Sequence, residues 1–167
     1  MNNPQDHPNR KSGYFGLLLR VPVPWVFILS YLIGLIPQFI FPLRFSSPAT
    51  ITFIKITGGV LFITGAFFAA WSLMIFHRAN TTTTPGEVSG KLIVNGPYRI
   101  SRNPMYISLT LAYLGEAGLL TQVWPLLTLP LTLAYLNYIV IPLEENLLKK
   151  EFPTNYKEYC DRVNRWL

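Results

Sequence analysis

The sequence contains little charge for its length. It has 14 Lys or Arg and 8 Asp or Glu among 167 residues, or 13%, about half the share that is usual in a soluble domain. Three stretches, 21–43, 56–77 and 117–143, contain none of these four residue types. A soluble domain of this size cannot keep three such stretches away from water. The composition therefore excludes an ordinary soluble globule and a disordered chain, and it indicates a small integral membrane protein.

Cysteine and histidine are also scarce. A single cysteine, Cys160, excludes an intrachain disulfide. His7 and His77 are the only histidines, so a metal site built from histidine and cysteine ligands is not expected. The sequence therefore predicts no bound metal.

The apolar stretches are long enough for about four membrane-spanning helices, since one crossing needs about 20 apolar residues. The predicted spans are 22–43, 51–76, 105–121 and 124–143, and the last two form a tight helical hairpin. A cytoplasmic helical segment follows over 144–167, with a break at Pro153. The predicted fold class is all-α, a polytopic membrane protein. A flexible cytoplasmic tail over 1–13 precedes one membrane-embedded domain over 14–167.

The positions of the basic residues predict the orientation. Four crossings leave only Arg44 and Lys55 on one side of the membrane and the other twelve basic residues on the opposite side. The twelve are Arg10, Lys11, Arg20, Arg78, Lys91, Arg99, Arg102, Lys149, Lys150, Lys157, Arg162 and Arg165. Positive charge in short loops marks the cytoplasm, so both termini and the loop 77–104 are predicted to be cytoplasmic. The net charge of +6 is thus a signal of topology and gives no case for nucleic-acid binding.

The segment 92–106, LIVNGPYRISRNPMY, holds one group of reactive side chains. Gly96 lies in a predicted turn, and Pro104 suits the first turn of a helix that Asn103 would cap. Arg99, Arg102 and Tyr106 are close enough in sequence to converge at this helix start. Two interpretations remain open, a polar binding site and a positively charged anchor at the membrane surface.

The second group is the pair Glu144 and Glu145, which directly follows the charge-free stretch 117–143. Adjacent residues of a helix point about 100° apart, so one acid is expected to face a pocket while the other pairs with Lys149. Carboxylates beside a cytoplasmic cavity suit a cationic ligand. The alternative is an ordinary polar helix end.

These two segments, together with Phe152, Tyr156, Tyr159 and Val163, closely resemble the isoprenylcysteine carboxyl methyltransferase family, whose pattern the related phospholipid N-methyltransferases share. The resemblance covers about residues 60–167. It implies an integral membrane methyltransferase that binds S-adenosylmethionine at the cytoplasmic face and methylates a hydrophobic or lipid-linked acceptor. The cofactor-binding residues that it implies are Gly96, Tyr98, Arg99, Arg102, Asn103, Tyr106, Glu144 and Glu145. It also suggests Gly115 and Gly118 as glycines that let the cofactor approach a helix backbone.

The chain departs from the family pattern at Asn103, where relatives have histidine, and at Pro153, where they have glycine. Asparagine hydrogen-bonds but does not titrate near neutral pH, so acid–base chemistry at this position is in doubt and the catalytic residues stay unassigned. Glu116 is a further candidate, since acids within apolar spans are often functional, but it is also interpreted as a wet residue near the hairpin turn or a partner of Gln122. A sterol-reductase-type enzyme that uses NADPH and a non-catalytic membrane protein remain alternatives.

Overall fold

The computed structural model describes residues 22–43, 45, 47–78 and 91–167. The predictions for the tail over 1–13 and for Arg10, Lys11, Arg20 and Arg44 therefore concern residues outside the described ranges.

The described residues form helices and contain no strand, which confirms the all-α class. Helix α1 is Val23–Ile40 and helix α2 is Pro48–Arg78, and a short 3-10 helix, Gly96–Arg99, precedes helix α3, Pro104–Leu119. Helix α4, Pro125–Tyr135, continues through a π-helical segment, Leu136–Val140, into helix α5, Ile141–Glu151. Helix α6 is Pro153–Arg162, so the predicted break at Pro153 is present.

Three of these helices are long and apolar enough to cross a membrane: Val23–Ile40, Pro48–Ile75 and Pro125–Glu151. They correspond to the predicted spans 22–43, 51–76 and 124–143. The remaining predicted span, 105–121, corresponds to α3, which has 16 residues. At 1.5 Å per residue α3 is about 24 Å long, somewhat less than a hydrocarbon core of about 30 Å.

Prolines determine where several helices begin, and one proline accounts for the π-helical segment between α4 and α5. Pro104, Pro125 and Pro153 each stand in the first turn of a helix, where a missing N–H costs nothing. Pro142 lies just past the π-helical segment and lacks the N–H that would bond the carbonyl of Tyr138. The ring of a proline also crowds the carbonyl four residues earlier, which accounts for the wider turns at this point.

Helices α2 and α3 lie so close that their backbones touch. A Cβ built on Gly115 would lie 2.7 Å from the Cα of Phe62, and one on Gly118 would lie 2.9 Å from the Cα of Gly58. The prediction that Gly115 and Gly118 let a cofactor approach is therefore wrong, because α2 fills the space beside them. Small residues allow this close packing of helices within a membrane.

Helix α1 packs against α4 through hydroxyl groups. The Thr128 hydroxyl donates to the Ser30 carbonyl at 3.0 Å, and the Thr132 hydroxyl donates to the Ser30 hydroxyl at 2.7 Å. At the hairpin turn between α3 and α4, the Tyr31 hydroxyl donates to Oε1 of Gln122 at 2.7 Å. Gln122 is thus a partner of Tyr31 and not of Glu116, whose side chain is exposed.

Candidate functional site

The 3-10 helix within the segment 92–106 requires glycine at its first position. Gly96 has a φ of +62°, in the left-handed region that side chains disfavour. A Cβ at this position would also collide with the side chain of Ile75 and lie 3.2 Å from the indole nitrogen of Trp71. Because α2 supplies both neighbours, Gly96 fixes the 3-10 helix against that span and buries Tyr98.

Glu145 lies at the centre of the site and is only 7% exposed. Arg165 makes a bidentate contact with it, from Nε to Oε1 at 3.1 Å and from NH2 to Oε2 at 2.8 Å. NH1 of Arg102 lies 3.3 Å from Oε1. The hydrogen bond to Glu145 raises the pKa of Arg165 above its ordinary value. Two guanidinium groups therefore share one buried carboxylate, which is the usual way in which proteins tolerate a buried charge.

Glu144, the neighbouring acid, points in another direction and has a different partner. Its Oε1 accepts a hydrogen bond of 2.6 Å from the hydroxyl of Tyr106, in the first turn of α3. Lys149 is exposed and forms no ion pair with either acid within the described residues, so the predicted pairing at this position is wrong. Both carboxylates are turned inward, because α3 and the C-terminal residues offer them closer donors.

The residues 164–167, here called the C-terminal strap, lie across the start of α3. The backbone N–H of Arg102 donates to the carbonyl of Asn164 at 3.0 Å. The carbonyl of Arg165 accepts from the Ser101 hydroxyl at 3.1 Å and from Nδ2 of Asn103 at 2.9 Å. The Asn103 side chain was predicted to cap α3, and it makes no such bond because the strap engages its amide group.

Helix α6 encloses the other side of the arginine cluster. The hydroxyl of Tyr159 donates to the Tyr98 carbonyl at 2.7 Å, and burial raises the pKa of Tyr159 to about 12. NH1 of Arg102 also donates to Sγ of Cys160. Nε of Arg102 is buried and has no hydrogen-bond partner in the part of the chain that the structure describes.

Five of the eight predicted site residues converge on this cluster: Arg102, Asn103, Tyr106, Glu144 and Glu145. Gly96 and the buried Tyr98 support it from the 3-10 helix, whereas Arg99 is exposed and contributes no contact that is recorded within the described residues. Sequence reasoning missed Arg165, Asn137 and Trp166. The sequence shows only that Arg165 lies near the end of a polar segment. This position does not indicate that its partner is an acid 20 residues earlier.

A groove of about 490 Å³ lies beside the cluster, between α3, the end of α4 with the π-helical segment, and the C-terminal strap. Its walls are mainly apolar, with Leu111, Leu133 and Trp166 among them. Thr110 and Asn137 are polar residues of the lining, and Asn137 lies on the π-helical segment. Its Oδ1 accepts from the Trp166 indole N–H at 3.0 Å and from NH1 of Arg165 at 3.5 Å, which joins the groove to the Glu145 cluster.

The family comparison matches the part of the chain that carries this site. A profile of the phospholipid methyltransferase family matches residues 53–155, more than half of the chain. The chain belongs to the phospholipid methyltransferase family. This membership, together with the three long apolar helices, makes the protein an integral membrane methyltransferase related to the isoprenylcysteine carboxyl methyltransferases. No curated protein and no solved structure shows a significant match to the chain.

For this membrane methyltransferase, the matched range contains the 3-10 helix, α3 and both acids, and it ends before most of α6 and the strap. The strap residues that hold Glu145 therefore lie outside the part that the family match covers.

Proposed function

We propose that this methyltransferase transfers a methyl group from S-adenosylmethionine to a hydrophobic or lipid-linked acceptor at the cytoplasmic membrane face. The observation that carries the proposal is the arrangement of the two acids. Glu144 and Glu145 continue an apolar helix into a polar cluster built from the start of α3, with Tyr106 on one acid and Arg102 on the other. Family membership favours this activity over the NADPH-dependent reductase and over a non-catalytic role.

The polar groups of the cluster fit the chemistry of the proposed cofactor. S-adenosylmethionine supplies an activated methyl group on a sulfonium cation, and it also carries an ammonium and a carboxylate group. Arg102 has a buried Nε without a partner among the described residues, which suits the carboxylate. Glu144 suits the cationic groups better than Glu145, because two guanidinium groups already compensate Glu145.

The proposed roles of the remaining predicted residues follow from their contacts. Tyr106 holds the Glu144 carboxylate, Asn103 holds the strap, and Gly96 with Tyr98 sets the 3-10 helix against α2. Arg99 is exposed and would contact the cofactor only from the rim of the site. Holding two reactants in contact supplies much of the acceleration of a displacement reaction, so these residues act by binding and orientation.

The proposed cytoplasmic orientation agrees with the exposed basic residues around the cluster. Lys149, Lys150, Lys157 and Arg162 are all exposed on α5 and α6, at the same end of the molecule as both acids. Positive charge of this kind marks the cytoplasmic side, where a soluble cofactor is available. A lipidic acceptor would reach the same end sideways, between the apolar helices.

Binding of S-adenosylmethionine to the purified protein in detergent tests the proposal. Titration calorimetry should show saturable binding to the native protein, and Glu144→Gln should weaken it at least tenfold, a loss of about 1.4 kcal/mol. Glu151→Gln is the matched control, because Glu151 is an exposed acid on the same helix. Release of S-adenosylhomocysteine in the presence of phospholipid extract should likewise be lower for Glu144→Gln than for the native protein and Glu151→Gln.

Two results would contradict the proposal. Equal affinity in both glutamine variants would remove Glu144 from the site. Saturable binding of NADPH without any binding of S-adenosylmethionine would move the activity to the reductase class, and binding of neither would leave a non-catalytic role.

A further inference from the structure

Arg165 uses one edge of its guanidinium group to hold Glu145. Its Nε and NH2 atoms donate to the two carboxylate oxygens at 3.1 and 2.8 Å, so the fork matches the carboxylate in geometry as well as in charge. Arg102 contacts the same carboxylate through NH1 alone, at 3.3 Å from Oε1. The neighbouring Glu144 is turned towards Tyr106. Two guanidinium groups therefore face one carboxylate, and this leaves an excess of positive charge at Arg102.

The corresponding edge of Arg102 makes no contact within the described residues. NH1 makes every hydrogen bond and ion pair that is recorded for this side chain, to Glu145 and to Sγ of Cys160. Nε is buried without a partner in the same ranges, which is costly for a charged donor group unless a ligand bonds it. Nε and NH2 form the edge with which Arg165 binds a carboxylate, so the same edge of Arg102 suits the carboxylate of S-adenosylmethionine.

The C-terminal strap is tied to the segment that carries Arg102. The backbone N–H of Arg102 donates to the carbonyl of Asn164 at 3.0 Å, and the Ser101 hydroxyl donates to the carbonyl of Arg165 at 3.1 Å. Ser101 is buried, so the strap is docked in the interior of the protein at this point. These bonds fix the position of Arg165 relative to both Arg102 and Glu145.

We propose that Arg165 is a positioning residue for the cofactor: by occupying both oxygens of Glu145, it keeps the Nε edge of Arg102 free for the carboxylate of S-adenosylmethionine. The inference rests on the proposed function, and it adds a residue outside the range that the family profile matches. Without Arg165, Oε2 of Glu145 has no donor among the described residues, and Arg102 would turn its Nε edge to this carboxylate. The cofactor carboxylate would then meet a neutral ion pair in place of an excess positive charge.

Decarboxylated S-adenosylmethionine tests this role, because it keeps the sulfonium and amine groups and lacks only the carboxylate. Titration calorimetry in detergent should show that the native protein prefers S-adenosylmethionine at least about tenfold, the effect of one charge-assisted hydrogen bond. Arg165→Gln should reduce this preference to less than about threefold, whereas the affinity for the decarboxylated ligand should not fall. A purely structural loss would weaken the binding of both ligands alike.

Two further variants control for charge and for folding. Arg162→Gln is the matched control and should keep the native preference, because Arg162 is exposed on α6 and donates only to the backbone carbonyl of Glu158 at 3.2 Å. Arg165→Lys keeps the positive charge but does not match both carboxylate oxygens, so its preference should lie between those of the native protein and Arg165→Gln. It decides the question if Arg165→Gln does not fold, and a native preference in Arg165→Lys would then overturn the inference.

A double variant gives a readout that a purely structural role would not move. Arg165→Gln combined with Glu145→Gln leaves no carboxylate at this position to compete for the Nε edge of Arg102. The preference for S-adenosylmethionine should therefore return to at least about fivefold, above that of Arg165→Gln alone. A preference no greater than that of Arg165→Gln would contradict the competition for Arg102.

The two ligands separate this inference from the proposed function. Saturable binding of S-adenosylmethionine with the same preference in the native protein and in Arg165→Gln would overturn the positioning role and leave the proposed function intact. A parallel loss of both ligands in Arg165→Gln and Arg165→Lys would make Arg165 a structural residue and would also overturn it. Binding of neither ligand by the native protein would overturn the proposed function, and this inference with it.

Discussion

Removal of the Glu145 carboxylate should destabilise the fold by an amount that its contacts define. Glu145→Ala leaves Arg102, whose side chain is 15% exposed, without its carboxylate, and it removes the bidentate contact of Arg165. Removing one partner of a fully buried ion pair costs about 3–5 kcal/mol. The Arg165 side chain is 33% exposed and regains water, so we expect a smaller loss, about 2–3 kcal/mol.

Thermal unfolding in detergent measures this loss. For a chain of this size about 1 kcal/mol corresponds to roughly 2–4 °C, so the midpoint for Glu145→Ala should fall by about 4–12 °C. Glu151→Ala is the control and should change stability by less than about 0.5 kcal/mol, because Glu151 is an exposed surface acid. The double variant with Arg165→Gln should lose less than the sum of the single losses, since both changes remove the same contact. Equal midpoints for Glu145→Ala and Glu151→Ala would refute the buried ion cluster.

Three further predictions concern helix packing and buried hydrogen bonds. Gly115→Ala should lower the thermal unfolding midpoint, because a Cβ would lie 2.7 Å from the Cα of Phe62. Gly59→Ala should leave the midpoint unchanged or raise it, because the nearest atom to its Cβ lies at 3.6 Å. Equal losses in the two variants would contradict the α2–α3 contact. Tyr159→Phe removes the hydroxyl that donates to the Tyr98 carbonyl at 2.7 Å, and it should lower the free energy of unfolding in urea by about 1–3 kcal/mol. An unchanged urea midpoint would contradict this hydrogen bond. Tyr31→Phe and Gln122→Leu should show a coupling energy of about 1 kcal/mol in a double-mutant cycle, because a 2.7 Å hydrogen bond joins the two residues. Binding of S-adenosylmethionine should stay unchanged, because this bond lies at the opposite end of α3 from the site. Strictly additive losses would contradict the hydrogen bond.

The fold class was predictable because charge is costly in a membrane. Charge-free stretches of more than 20 residues leave few alternatives to spanning helices, and prolines indicate where several of them begin. The partner of each helix was not predictable in the same way. Gly115 and Gly118 indicate a close approach, but nothing in their spacing distinguishes a cofactor from another helix, and α2 proved to be the neighbour.

The candidate site was predictable where its residues are close in sequence. The segment 92–106 and the acidic pair were found because unusual residue types cluster there. The roles of Arg165 and Asn137 were not predicted, because the two residues that make contact are 28 positions apart, across the turn between α5 and α6. An asparagine within an apolar helix and an arginine in a polar tail are each unremarkable alone, and only the folded strap brings them together.

The two adjacent acids should separate into a structural and a ligand-binding residue. Glu144→Gln keeps an oxygen for the Tyr106 hydroxyl, which donates to Glu144 at 2.6 Å in the native protein. Its free energy of unfolding should therefore stay within about 1 kcal/mol of the native value. Glu145→Gln removes the buried negative charge between two arginines, and the resulting loss of unfolding free energy should be several times that of Glu144→Gln. Binding of S-adenosylmethionine, measured below both midpoints, should then be at least tenfold weaker in a folded Glu144→Gln protein. If Glu144→Gln unfolds as readily as Glu145→Gln, the acids form one structural unit, and the assignment of Glu144 to a cationic ligand fails.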